Sequence, residues 1–189
     1  MFKIVIADDE PIIKMDVREI LELNGYDVVG EASDGIEAIE ICRNTKPDLV
    51  LMDIKMPMLD GLKAVEIINE QKLARCVLML TAYNEKNMLE QAKNADVMGY
   101  LIKPVDEKSL IPAIEIALAK QSKIEKMNQE YEKTRTALES RKYIDRAKGI
   151  LMETKQMSEL EAYSYMRKVA MDKECTIARI AQTIILSYR

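Results

Sequence analysis

Asp53 lies at the end of an apolar run that does not suit a carboxylate. The four residues before it, 49–52, are Leu-Val-Leu-Met, which is typical of a buried strand in a parallel sheet. Pro57 disfavours helix at residue 56, so the chain must enter a loop after this strand. In open α/β sheets that edge is where ligands bind. On position alone, Asp53 either caps the next segment or takes part in chemistry.

Three other apolar runs also end in polar residues. In a doubly wound sheet the carboxyl ends of these strands lie beside Asp53. Carboxylates placed together repel one another, stay ionised around a cation, and form the all-oxygen, partly hydrated site that suits Mg²⁺. The groups delivered to this edge are Asp8, Asp9 and Glu10 after the first run, Thr81 after residues 77–80, and Lys103 after residues 97–102.

This set of groups suits phosphoryl transfer to a carboxylate. Asp53 would attack phosphorus as the nucleophile, while a metal ion held by Asp8 and Asp9 would neutralise the phosphoryl oxygens. Lys103 and Thr81 would hold the product through a charge-assisted and a neutral hydrogen bond. Taken singly, Lys103 is better explained as a structural counter-ion and Thr81 as a helix cap. The agreement of four strand ends favours the chemistry.

Residues 1–120 resemble a response-regulator receiver domain, because five separated motifs occur in the expected order. The resemblance implies a flavodoxin-like α/β fold, with a doubly wound five-stranded parallel sheet. The matching positions are the acidic pair Asp8-Asp9, the phosphoacceptor Asp53, the switch residues Thr81, Ala82 and Tyr100, and Lys103-Pro104 with its cis bond.

The resemblance also implies a cofactor and a partner. Asp9, Asp53 and the Lys55 backbone carbonyl would bind Mg²⁺ directly, with Asp8 acting mainly through water. The chain contains no histidine, which excludes histidine metal sites and a phosphohistidine within the chain. The phosphoryl donor is therefore expected to be a separate molecule, and the resemblance implies that it is a sensor histidine kinase. No run of about 18 apolar residues predicts a membrane span, so the cytoplasm is the expected location.

A helical pattern continues beyond the point where a receiver domain ends, and it predicts a helical linker over residues 107–140. One set of residues, most of them apolar, recurs there at alternating spacings of four and three, with Asn128 at a core-type position. This period resembles a parallel coiled coil whose polar core residue fixes the register. A solvated connector helix packed on one domain is the alternative. The repeating positions are Leu110, Ile114, Ala117, Gln121, Ile124, Asn128, Tyr131, Arg135 and Leu138.

The segment 136–189 differs in charge from the rest of the chain. It holds ten Lys or Arg against seven acids, so it carries +3, and the remainder carries −7 because the whole chain is −4. This asymmetry indicates an anionic partner for the tail. Apolar periodicity predicts a bundle of three short helices, the middle one opened by the capping box of Ser158 and Glu161.

Residues 136–189 resemble the ANTAR domain, the RNA-binding output module of antitermination regulators. The resemblance is strongest over the Ala-Lys-Gly-Ile-Leu-Met of 147–152, and the whole architecture is similar to that of ethanolamine-utilisation regulators. It implies binding of paired RNA hairpins in a nascent leader and dimerisation upon phosphorylation. Tyr163 and Tyr165 are candidates for base stacking, with Tyr163 expected in the core. The candidate RNA contacts are Arg141, Lys148, Arg167, Lys168 and Arg179, with Gly149 admitting close approach of a backbone.

Two other functional classes compete with an RNA-binding regulator. A DNA-binding response regulator would use the short helices as a helix-turn-helix, but the tight Gly-containing turn that this motif favours is missing. An aspartyl-phosphate enzyme usually carries an acid two residues after its nucleophile, and here that position is Lys55. The chain is therefore expected to be a regulator without a small-molecule substrate.

Overall fold

The computed structural model describes residues 1–82 and 97–188, which divide into two compact units, Met1–Glu125 and Lys126–Arg189. The first unit contains the predicted five-stranded parallel sheet, in the order β2-β1-β3-β4-β5. The sequence predicts a further helix over residues 85–94, which lies outside the described residues. The elements are β1 (Lys3–Ala7), α1 (Pro11–Leu23), β2 (Asp27–Ala32), α2 (Gly35–Thr45), β3 (Leu49–Asp53), α3 (Gly61–Glu70), β4 (Cys76–Ala82) and β5 (Gly99–Lys103).

Strand β3 is the centre of this unit, and all five of its residues are buried. Its side chains alternate between the two faces of the sheet. Val50 and Met52 pack with helices α2 and α3 on one face, while Leu49 and Leu51 pack with α1 on the other. Burial on both faces explains why β3 is a continuous apolar run, and it leaves Asp53 at the end of the best-buried strand.

Helix α4 (Glu107–Lys155) contributes to both units, and it begins at the residue predicted. Its first turns bury Leu110, Ile114 and Ala117 against the sheet. From residue 126 to 139 every residue is exposed, including Tyr131 and Leu138 at predicted heptad positions. The coiled coil therefore stays a prediction about a second copy of the chain.

The second unit is built from the end of α4 together with α5 (Glu159–Asp172) and α6 (Ile177–Ser187). The predicted capping box is present: Ser158 accepts from the Glu161 amide, and the Glu161 carboxylate accepts from the Ser158 amide. No helix in the described part of the chain carries an uncharged apolar run long enough to cross a bilayer. The buried apolar core consists of Ala147, Leu151, Ala162, Met166, Ala170, Ile180, Ala181 and Ile185.

Arg75 links the start of β4 to helix α4 at the boundary of the first unit. Its guanidinium donates to both carboxylate oxygens of Glu125, Nε to Oε1 at 3.1 Å and Nη2 to Oε2 at 2.9 Å. A third bond joins Nη1 to Asp48 Oδ1 at 2.8 Å, and Gln121 also donates to Glu125. The hydrogen bond from Arg75 lowers the pKa of Glu125. This network attaches the last receiver-side turn of α4 to the sheet.

We expect Arg75→Ala to loosen this turn of α4 while leaving the sheet intact. The side chains of Arg75 and Glu125 are 37% and 36% exposed, so solvent screening limits the loss of stability to about 1 kcal/mol. Amide hydrogen exchange over residues 119–125 should accelerate severalfold. The control is Arg43→Ala, which removes an exposed Arg bonded to Gln71. Unchanged exchange in Arg75→Ala would contradict the proposed attachment.

Candidate functional site

The parallel register brings the predicted strand-end groups to one edge of the sheet. Asp8 follows β1, and Asp53 ends β3 opposite Leu80 of β4. Thr81 follows Leu80 and pairs with Ile102 of β5, while Ala82 pairs with Lys103. The side chains of Asp8, Asp53 and Thr81 are buried. The structure therefore places these polar groups at the carboxyl end of the sheet, as predicted.

Lys103 joins the two buried aspartates. Its Nζ lies 2.7 Å from Asp8 Oδ2 and 3.1 Å from Asp53 Oδ2, with Glu10 Oε1 farther away at 3.6 Å. Burial acts to lower the pKa of Lys103, but the hydrogen bonds with Asp8 and Asp53 outweigh it, and the net pKa is raised. The ammonium is therefore charged at neutral pH and is positioned to hold anionic oxygens beside Asp53.

Both oxygens of the Asp53 carboxylate have a partner. Its Oδ1 accepts a hydrogen bond of 2.8 Å from the amide of Ile54, and Oδ2 contacts Lys103. Burial raises the pKa of Asp53 to about 6, Lys103 acts to lower it, and Asp8 adds to the increase. The carboxylate is thus ionised at neutral pH, and the cost of its burial falls when positive charge binds nearby.

Asp8, Asp9 and Glu10 form an acidic cluster at the end of β1. Each offers a carboxylate oxygen, and these oxygens lie within 4.8 Å of one another. Asp8 is fully buried, and its Oδ2 lies 2.7 Å from the Lys103 ammonium. Asp53 lies outside this cluster of three and is connected to it through Lys103. Hard oxygen donors of this kind suit Mg²⁺.

The other predicted switch residues have distinct environments. Thr81 is 1% exposed, and its hydroxyl lies 3.3 Å from the Ala82 carbonyl. Tyr100 points outwards and is 52% exposed. The Lys103–Pro104 peptide is cis, in agreement with the bond that the receiver resemblance implies. Lys55, the predicted carbonyl ligand, follows the site in the loop after β3.

Lys14 is a buried charged residue near the site that the sequence reasoning missed. It is 8% exposed, and its Nζ bonds to Ser33 Oγ at 2.5 Å and to the Ala32 carbonyl at 3.3 Å. The signal was present, because Lys14 shares the buried helical stripe of α1 with Val17 and Leu21. The hydrogen bonds of Lys14 connect α1 to the end of β2 and the loop that follows it.

The candidate RNA contacts of the second unit differ in how much of their charge is available. Lys148 lies 2.8 Å from Asp145 and 2.6 Å from Glu159, so two carboxylates already neutralise it. Arg141 has a long contact of 3.9 Å with Asp145. Arg167, Lys168 and Arg179 are exposed. An added Cβ on Gly149 would meet no described atom within 4 Å.

The chain matches two protein families. Residues 4–115 match the response regulator receiver domain, and residues 132–185 match the ANTAR domain. Over 183 residues the chain is 40% identical to the transcriptional regulatory protein PdtaR of Mycobacterium tuberculosis, covering 97% of this chain and 89% of that protein. A putative transcriptional regulator of Pseudomonas aeruginosa is 36% identical over 119 residues, 63% of this chain and 58% of that protein.

Solved receiver structures match the first unit. The receiver domain of AraT from Geobacillus stearothermophilus is 32% identical, with a TM-score of 0.57, over 67% of this chain and 98% of that one. A CheY-like receiver domain protein from Methanospirillum hungatei is 29% identical, with a TM-score of 0.60, over 65% of this chain and 98% of that one. Both cover the part of the chain that holds Asp53.

Proposed function

The chain belongs to the response regulators that join a receiver domain to an ANTAR domain, and we propose that it is a transcription antiterminator controlled by phosphorylation of Asp53. This architecture is that of a regulator rather than a catalytic family. The observation that carries the proposal is the buried Asp53 carboxylate, held by Lys103 at the sheet edge of a chain that also contains an ANTAR domain. We place its action in the cytoplasm, where transcripts are made.

The proposed phosphorylation takes place on the carboxylate of Asp53. A carboxylate oxygen attacks the phosphorus of a phosphohistidine, and the phosphorus–nitrogen bond breaks as the acyl phosphate forms. Lys103 then holds a phosphoryl oxygen by a charge-assisted hydrogen bond. The donor is a sensor histidine kinase, since the chain has no histidine of its own.

The acidic residues around Asp53 fit a Mg²⁺ ion. We propose Asp9, Asp53 and the Lys55 carbonyl as its protein ligands, with Asp8 acting mainly through water. The carboxylate oxygens of Asp8, Asp9 and Glu10, which lie within 4.8 Å of one another, support an oxygen-lined cation site. When bound, Mg²⁺ would supply positive charge to the phosphoryl oxygens and lower the cost of ionising Asp53.

The switch residues at the ends of β4 and β5 then change position in response to phosphorylation. The new phosphoryl group adds nearly two negative charges and strong acceptor oxygens. Thr81 moves to donate its hydroxyl, next to the small side chain of Ala82, and Lys103, followed by Pro104, keeps its ion pair. Tyr100, which is half exposed, turns inwards and changes the surface formed by β4 and β5.

This change promotes a homodimer, and the dimer positions two ANTAR domains. The exposed face of α4 offers Ile124, Tyr131 and Leu138 at heptad spacing for a second copy of the chain. Two RNA-binding modules on one dimer meet two hairpins on one leader transcript, so the second contact is intramolecular and its effective concentration is high. Holding the hairpin pair favours the antiterminated transcript.

RNA binding is proposed to use basic side chains of the second unit. Arg141, Arg167, Lys168 and Arg179 are exposed and can meet phosphates. Lys148 must break its ion pairs with Asp145 and Glu159 before its ammonium can contact an RNA phosphate. The contact of each of these residues stays a prediction, and the salt dependence of binding measures how many phosphates are neutralised.

Gly149→Ala separates two roles for this glycine. The substitution removes a helix-interior glycine and meets no described atom, so we expect the second unit to gain about 1 kcal/mol of stability. If an RNA backbone approaches Gly149, affinity for the hairpin pair should fall about tenfold, because the added methyl group occupies the space that the RNA backbone needs. Thermal unfolding and filter binding measure the two effects.

Thr154→Ala is the matched control for Gly149→Ala. Thr154 is exposed on α4, and within the described part of the chain its hydroxyl bonds only to the Ile150 carbonyl of the preceding turn. This variant also improves helix propensity but leaves the Gly149 face unchanged. Equal RNA affinity in both variants would show that Gly149 is a tolerated helix residue and not a contact.

The function is tested with a labelled transcript that contains two short hairpins with six-nucleotide loops. Binding is measured with and without beryllofluoride and Mg²⁺, while light scattering records the mass. Tighter binding that appears together with a dimer supports the proposed switch. Equal binding in both states keeps the RNA function but rejects its control by Asp53. Competition by duplex DNA, without binding to the hairpins, would favour the DNA-binding alternative.

A further inference from the structure

Helix α5 carries a second stripe of side chains that does not pack in the core. Leu160, Tyr163 and Met171 are 77%, 40% and 71% exposed, and Arg167 between them is exposed as well. The spacings of three, four and four residues place them on one face of the helix. The expectation that Tyr163 lies in the core was wrong, because the buried stripe of α5 consists of Ala162, Met166 and Ala170.

This stripe leads into an open cavity of about 540 Å³ at the turn between α5 and α6. Ala170 and Ile177 supply apolar lining, and Arg167, Met171 and Glu174 line it as well. The charged groups of the lining are therefore the planar guanidinium of Arg167, which donates hydrogen bonds, and the carboxylate of Glu174, which accepts them. A site for phosphate alone would repel its ligand from Glu174, whereas the edge of a nucleobase presents donors and acceptors together.

The Arg167 guanidinium is available to a ligand. No carboxylate of the described residues forms an ion pair with it, in contrast to Lys148, which is held by Asp145 and Glu159. An unpaired guanidinium beside an exposed aromatic ring and a thioether offers planar and polarisable surfaces on which a base can stack. The guanidinium charge also attracts the RNA backbone.

We propose that Arg167 and Met171 line a base-reading pocket, which takes one unpaired nucleobase from the loop of an RNA hairpin. Tyr163 lies one turn before Arg167 on the same face of α5, outside the pocket itself. The inference rests on the proposed RNA-binding function and adds the residues that would give it sequence selectivity. The base stacks against Arg167 and Met171, with its edge towards Glu174, while Tyr163 covers the neighbouring base of the loop. Unstacked loop bases are the part of RNA whose sequence proteins read.

The test uses the full-length chain with beryllofluoride and Mg²⁺, and a pool of paired hairpins whose six-nucleotide loops are randomised. Bound RNA is sequenced to give the enrichment of each base at each loop position. Arg167→Lys keeps the charge but loses the planar guanidinium. We expect this variant to lose the enrichment at one loop position and to bind the wild-type selected RNA about tenfold more weakly. Arg146→Lys, at an exposed Arg outside the pocket, should keep the wild-type enrichment.

The outcomes separate this inference from the function on which it rests. Retention of the pool by the wild type without any base enrichment would leave RNA binding intact and overturn the base-reading pocket. Unchanged enrichment in Arg167→Lys would overturn it as well. No retention of the pool above that of duplex DNA would reject the RNA-binding function itself, and the pocket with it. Circular dichroism of each variant checks that the bundle is folded.

Discussion

Asp53→Asn should abolish phosphorylation of the chain and, with it, any gain in RNA binding caused by a phosphoryl donor. The amide is nearly isosteric with the carboxylate but is not a nucleophile towards phosphorus. We expect no phosphoprotein after incubation with acetyl phosphate and Mg²⁺, or with a cognate sensor kinase. Intact mass spectrometry and light scattering measure the modification and the dimer in the same samples.

The matched control for this prediction is Asp27→Asn. Asp27 is exposed at the start of β2, far along the strand from the carboxyl edge that holds Asp53. This variant should be phosphorylated at the wild-type rate. Phosphorylation of Asp53→Asn at a rate like that of the control would reject Asp53 as the phosphoacceptor and require another carboxylate, with Asp9 the first to test.

The same variant should be more stable than the wild type at neutral pH. Burial raises the pKa of Asp53 from 3.8 to about 6, so the folded state binds the proton more tightly than the unfolded chain. The contribution of this group to stability is therefore full below about pH 4 and is lost as the pH rises through 6. At pH 7.5 the loss is about 2–4 kcal/mol. Asn avoids it, and the two melting curves should converge towards pH 4.

The effect of Mg²⁺ on the melting temperature provides a second test of this stability difference. A cation bound beside Asp53 favours the ionised carboxylate, so Mg²⁺ should raise the melting temperature of the wild type more than that of Asp53→Asn. The Asp27→Asn control should respond like the wild type. An equal response in all three proteins would mean that Asp53 does not contribute to the cation site.

The sheet and its site could be predicted from the sequence because the signals are local. The continuous apolar run before Asp53 indicates a strand that is buried on both faces of the sheet. The polar residues that end the strands indicate the edge of the sheet where their side chains meet. Two helix starts are also set locally. Pro11 at the first turn of α1 has a fixed backbone φ and no N–H that needs a partner, and the capping box at Ser158 supplies short-range hydrogen bonds.

The contacts that could not be predicted join residues far apart in the chain. Arg75 and Glu125 are 50 residues apart and both partly exposed, so no periodicity marks them as a pair. Lys148 appeared available because its partner Glu159 comes from the next helix. Tyr163 was misplaced because a tyrosine one residue from Ala162 is compatible with either edge of the buried stripe. In each case the decisive information is how elements pack, which short-range patterns do not contain.

Gly61→Ala should produce the largest loss of stability among these variants. Gly61 opens α3 and donates its amide to the Ile54 carbonyl at 2.9 Å. A Cβ at this position would lie 1.9 Å from the Asp53 carbonyl oxygen and 2.9 Å from its carbon. Both are backbone atoms, so no side chain can rotate away. Either α3 must move away from β3 or the Asp53 peptide must turn.

We expect this overpacking to cost about 3 kcal/mol or more and to slow phosphorylation, because the strained backbone carries the phosphoacceptor itself. Urea denaturation of the receiver domain measures the first effect, and the initial rate of phosphoprotein formation measures the second. Gly99→Ala is the matched control within the same sheet, since among the described residues its Cβ would meet only the tip of Leu78, at 3.3 Å. That flexible side chain can yield, so its cost should stay near 1 kcal/mol or below.

The comparison of the two glycines tests the architecture of the site and not only its stability. If Gly61→Ala and Gly99→Ala unfold at the same urea concentration, the start of α3 does not pack against the Asp53 backbone as described. If Gly61→Ala is destabilised but phosphorylated normally, α3 yields and the carboxylate keeps its place beside Lys103. Loss of both shows that the close approach of Gly61 to β3 is what holds the phosphoacceptor in position.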